Sequence, residues 1–178
     1  MISADLEFPD VSHVRSLTMF PSTIRTATPD DAALTAELNR FVQDIHAEHR
    51  PDLFRDHPPI EELTAGFRSQ LEREDVTIFI AERPDGGAVG YAMTITNERS
   101  TNALMHADSF VVLEHLAVAP DVARHGVGRA LVNAVREAAR AAGCRRLVTE
   151  VWDFNSRASA FFESSGFAPM HRRLEQML

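Results

Sequence analysis

Lysine is missing altogether: in 178 residues all 18 basic side chains are arginine. A glycine-lysine phosphate loop, a pyridoxal Schiff base and the strand lysine of protein kinases each need an ammonium group, so these three chemistries are excluded. Cysteine occurs once, at Cys144, and no internal disulfide can form. The start of the chain lacks the basic, apolar and small-residue order of a secretory leader, which predicts a cytoplasmic location. Basic runs are no longer than Arg145-Arg146 and Arg172-Arg173, against a net charge of −8. That field repels a phosphate backbone, so no nucleic-acid partner is expected; a cationic small molecule or basic peptide suits it better.

What is present fits one folded unit. Hydrophobic residues make up 44% and charged residues 25%, near globular averages and unlike a membrane protein or a disordered chain. Residues 1–21 follow no helical or strand period and are expected to be an extension, with a single domain over residues 22–178. Thr23 to Thr28 read as a strand. Asp30 then caps a helix whose apolar residues Leu34, Leu38, Phe41, Val42 and Ile45 recur at three and four. A second helical stripe, Leu63, Phe67 and Leu71, lies within residues 60–72. Strands over residues 76–81 and 88–96 flank the turn residues Arg83-Pro84-Asp85-Gly86-Gly87 and predict an antiparallel pair. Further strands are expected at residues 110–118, 146–151 and 174–178, with helices at residues 129–142 and 156–165 closed by Gly143 and Gly166.

The run from Leu113 to Leu131 reads strand, loop, glycine turn, helix. Main-chain N–H groups at the start of a helix have no partner inside it, and the helix dipole adds about half a positive charge there. Gly126 and Gly128 let an anion approach the backbone, with Arg124, His125 and Arg129 beside it. As a dinucleotide fingerprint the run fails, because Leu131 stands where a third small residue belongs.

This segment resembles the first conserved motif of the GNAT family of N-acetyltransferases, in which Leu-x-Val-x-Pro is followed by Arg/Gln-x-x-Gly-x-Gly/Ala and a long helix. Downstream, residues 147–167 resemble the second, Asn-x-x-Ala-x-x-Phe-Tyr-x-x-x-Gly-Phe after a strand. Residues 110–167 carry the match in detail. The resemblance implies an α/β fold with a mixed, mostly antiparallel sheet splayed between its fourth and fifth strands and flanked by helices. It also implies acetyl-CoA as co-substrate, no metal, and direct attack by a primary amine in a ternary complex. Backbone at Leu116, Ala117 and Val118 would pair with the pantetheine arm and supply the oxyanion donor. Arg124, His125, Gly126, Val127, Gly128 and Arg129 would surround the pyrophosphate, and Asn155 would orient the arm.

Two positions depart from the family pattern. Ala123 occupies the usual Arg/Gln position, and Arg124 follows one residue later, where the family often has glycine. Phe162 replaces the tyrosine expected to protonate the leaving thiolate; its ring is expected beside the thioester arm. Tyr91, the one tyrosine, is a candidate relocated acid or an ordinary strand aromatic, and a water or the product ammonium would serve instead. For the base that takes the amine proton, Glu114 is the first candidate, on an otherwise apolar strand, with an arginine ion pair as the alternative; Glu150 is the second. His115 has a suitable proton affinity but is expected to face away from Glu114. His46 and His49 lie on the acceptor-side helix and are read as lining the substrate, not as metal ligands. Cys144 is expected to be a small buried hydrophobe. The sequence leaves open a homodimer, a CoA-binding module without turnover, and a peptide or protein N-acetyltransferase.

Overall fold

A computed structural model describes residues 22–178; the extension expected over residues 1–21 lies outside the described residues. Five strands form one open sheet in sequence order: β1 (Thr23–Thr26), β2 (Val76–Glu82), β3 (Ala88–Arg99), β4 (Asp108–Val118) and β5 (Arg146–Thr149). The first three pairings are antiparallel and β4–β5 is parallel. Between the strands come α1 (Ala32–His49), α2 (Ile60–Leu71), α3 (Val127–Ala141) and α4 (Ser156–Ser164). Among the described residues no helix is long and apolar enough to cross a membrane.

Strand alternation divides the apolar side chains between two faces. Ile78, Ile80, Tyr91 and Met93 pack with Ala36 and Leu38 of α1 and Phe67 of α2. Phe79, Ala92, Val111 and Leu113 pack with Leu131, Val132 and Val135 of α3 and Phe162 of α4. The helices therefore bury both faces of the central strands, which explains their nearly continuous apolar runs.

Two details of β4 position the site. Its pairing with β5 spans Phe110↔Arg146 to Leu113↔Thr149 and then stops, so residues 114–118 pair with β3 only. Asp108 secures the far end: its carboxylate meets Arg146 at close range and lies 3.6 Å from both Arg99 and Arg145. The second detail is a β-bulge. Met93 pairs with His115 and Thr94 with Leu113, which leaves Glu114 as the extra residue. Alternation is reset there: Leu113 and Leu116 face α3, whereas His115 meets Phe67 and Ala117 joins the core under α1.

The strand expected at residues 174–178 does not form. Leu174 and Leu178 are exposed, and the tail is held instead by ion pairs, Arg50–Glu175 at 3.0 Å and Arg173–Glu150 at 3.4 Å. A strand needs a neighbour for its backbone groups, and none stands beside this segment among the described residues. Other bounds shift as well: β3 extends to Arg99 and β4 begins at Asp108, which lengthens their hairpin, while β5 stops at Thr149.

Candidate active site

Pro120 ends β4 and opens a short 3-10 turn, Pro120–Val122, that carries the chain round to α3. Two residues in this loop have left-handed backbone: Gly126, the N-cap of α3, at φ 92°, and Arg124 at φ 69°. Glycine adopts that conformation freely, and an L side chain does so at a cost of roughly 1–2 kcal/mol. The glycine usual at the Arg124 position thus corresponds to a real backbone demand, which this chain meets with an arginine. The Arg124 side chain is exposed and makes no ion pair or hydrogen bond with the described residues.

The first hydrogen bond of α3 runs from Ala130 N–H to Gly126 O at 2.9 Å. Among the described residues, the N–H groups of Val127, Gly128 and Arg129 have no hydrogen-bond partner. Val127 is buried and anchors the turn, while His125 and Arg129 are exposed. A side chain at Gly128 would come within 3.4 Å of Phe161 and 3.7 Å of Val118, so this glycine also lets α3 sit close to α4 and β4.

The open edge of β4 leads into this loop. Leu116, Ala117 and Val118 pair with Ala92, Tyr91 and Gly90 of β3, and β5 has already parted on their other side. Across the gap, Asn155 caps α4 through its Oδ1, which accepts from Ala158 N–H at 2.9 Å. Its carbonyl is therefore committed to the helix, and the Nδ2 donor is what remains for a ligand. Phe162 is 8% exposed and packs edge-on against Phe161 and Phe167. Phe161, not Phe162, is the ring set against Gly128 and Val118.

On the α1 face, Tyr91 is fully buried. Its hydroxyl donates to Asn39 Oδ1 at 2.7 Å and lies 2.9 Å from His115 Nδ1. Burial pushes the phenol well above its ordinary range, so it stays protonated. Burial, reinforced by the nearby charge of His46, pushes His115 down to about 4 and keeps its imidazole neutral at physiological pH. Tyr91 and His115 are candidates on sequence grounds, but nothing in the spacing joins them to Asn39; the one legible signal of the trio is the polar stripe Thr35, Asn39 and His46 at helical spacing on an otherwise apolar face of α1. Glu114 is exposed at the bulge, and Glu150 is exposed and paired with Arg173.

The wall beyond His115 is aromatic. His46 stacks on Phe54 with ring centres 4.8 Å apart and meets Trp152 at 6.2 Å and Phe154 at 6.0 Å. His49 stacks on Phe154 at 4.6 Å, and the Arg50 guanidinium lies 5.5 Å from the Trp152 ring centre. His46 and His49 thus build a ring surface with residues from the α1–α2 loop and the segment after β5. Burial alone lowers the pKa of His46.

A half-open strand thus feeds a glycine-capped helix, and an aromatic wall stands beside them. The chain belongs to the acetyltransferase (GNAT) family, whose sequence model matches residues 40–167. It is 34% identical over 150 residues to the aminoglycoside N(6')-acetyltransferase type 1 of Stenotrophomonas maltophilia, covering 84% of this chain and 88% of that protein. A Klebsiella aerogenes protein of the same description is 30% identical over 103 residues, 58% of this chain and 66% of that one. Among solved structures, a tetramutant of the BH1408 protein from Bacillus halodurans superposes with a TM-score of 0.81 at 23% identity, covering 88% of this chain and 99% of that chain. The aminoglycoside N-acetyltransferase AAC(6')-Iy in complex with CoA superposes with a TM-score of 0.69 at 22% identity, covering 89% and 95%. These two share the fold.

Proposed function

We propose that the chain moves an acetyl group from acetyl-CoA to a primary amine of an aminoglycoside, by direct attack in a ternary complex. The observation that carries the cofactor half is the set of unpartnered N–H groups at Val127, Gly128 and Arg129, which open a helix beside the free edge of β4. Those amides and the helix dipole suit a diphosphate, with Arg124, His125 and Arg129 adding cationic or hydrogen-bonding side chains. The pantetheine arm runs along Leu116, Ala117 and Val118, and a backbone amide of that strand stabilises the tetrahedral oxyanion. Asn155 Nδ2 faces the arm from the other side.

The acceptor half rests on the relatives' described substrate and on the aromatic wall. Stacked rings offer flat faces to the C–H surfaces of an amino sugar, and the net acidity of the chain attracts a polycation. In the reaction a C–N bond forms and the C–S bond breaks. The amine gives up one proton to a base, and the CoA thiolate gains one from water.

The test is a thiol-release assay with acetyl-CoA and neamine, followed by mass analysis of the amine. The expected result is one thiol released per acetyl group gained. Binding of CoA without release to any amine would make the chain a CoA-binding module, and release only with peptides or proteins would redirect it to protein modification.

A further inference from the structure

The polar trio between α1, β3 and β4 has a direction built into it. Tyr91 has one hydroxyl proton, and the 2.7 Å bond gives it to Asn39 Oδ1. The 2.9 Å contact with His115 is then a hydrogen bond only if Nδ1–H donates to the phenol oxygen. A neutral imidazole protonated at Nδ1 carries its lone pair on Nε2, and Nε2 has no hydrogen-bond partner among the described residues. His115 is not sealed in, although the hydroxyl that holds it is.

The bulge decides where that lone pair lies. Without the extra residue, Glu114 would take the α1 face; with it, His115 does, beside Ala117 and one residue before the strand edge assigned to the thioester arm. From α1 the titratable group facing it is His46, which is also part of the aromatic wall; from β3 it is Tyr91, and from β4 the neighbouring Glu114 points to solvent.

We propose that Asn39 and Tyr91 are positioning residues that fix His115 as its Nδ1–H tautomer, so that Nε2 accepts the proton the acceptor amine loses as its nitrogen attacks. The assignment rests on the acetyl-transfer reading above. As the C–N bond forms the attacking nitrogen becomes strongly acidic, its proton passes to Nε2, and the imidazolium returns it through water to the departing thiolate.

Two measurements test this. Long-range proton–nitrogen NMR of the substrate-free protein, with His115→Gln to assign the signals, should find His115 protonated at Nδ1. In Asn39→Leu the hydroxyl has lost its acceptor and turns to donate to Nδ1, so the proton should move to Nε2. The second measurement is kcat/KM with neamine. His115→Gln should lower it about a hundredfold. Asn39→Leu should lower it at least tenfold, with the KM for acetyl-CoA unchanged. Adding Tyr91→Phe to Asn39→Leu should restore part of the loss, since no hydroxyl then enforces the wrong tautomer. Wild-type His115 protonated at Nε2, or a double variant slower than Asn39→Leu alone, overturns the proposal. If wild type acetylates no amine, the acetyl-transfer reading fails separately and the tautomer spectrum still decides the Asn39–Tyr91–His115 assignment.

Discussion

Arg124 joins two effects that a pair of substitutions separates. Its backbone sits at φ 69°, and its side chain makes no ion pair or hydrogen bond with the described residues at the mouth of the α3 loop. Alanine there removes the guanidinium and keeps the conformational cost; glycine removes both. A left-handed residue other than glycine costs roughly 1–2 kcal/mol, and glycine's larger unfolded-state entropy returns roughly 0.5–1 kcal/mol of that. Arg124→Gly should therefore be more stable than Arg124→Ala by about 0.5–1 kcal/mol in urea unfolding. A guanidinium–phosphate hydrogen bond is worth about 1.5–3 kcal/mol, and at an exposed position the lower end applies. Both variants should then bind CoA about tenfold more weakly by calorimetry. Equal stability of the two variants would refute the backbone argument, and wild-type affinity in both would refute the phosphate contact.

Three further outcomes follow from the same structure. A Cβ on Gly90 would lie 2.6 Å from the Ala117 carbonyl oxygen and 3.3 Å from Val118 Cα, so Gly90→Ala should cost about 1–3 kcal/mol and weaken CoA binding in parallel; unchanged affinity would detach that strand edge from the cofactor. Phe162→Tyr places a hydroxyl in a packed ring cluster and should cost about 1–3 kcal/mol without raising kcat; a faster, equally stable variant would put this position beside the thioester after all. His115, held down to about 4 in the fold against 6.5 when unfolded, makes the unfolded state bind the extra proton between these values. Stability should thus fall as pH drops through that window, by about 3 kcal/mol more in wild type than in His115→Gln. The Asp31 carboxyl, held to about 2 by Arg25, loses its contribution only below about 3.8, and parallel wild-type and variant curves above that pH would refute the His115 assignment.

The sequence by itself determined the order of β1 to β5 and α1 to α4 and the glycine turn, and its resemblance to the GNAT motifs implied the parting of β4 from β5. Each depends on local period, on turn chemistry or on a contiguous motif, and a linear chain displays all three. Arg124 was legible as a departure, but its left-handed backbone was not, since φ belongs to the closed loop. Tertiary structure alone decided which β4 side chain faces α1, because one bulged residue at Glu114 inverts the alternation for all that follow. It also joined Asn39 to Tyr91 and His115, from three elements far apart in the chain, and left the last residues as an ion-paired tail. Contacts between distant segments depend on register, and register is fixed only when the sheet and helices pack together.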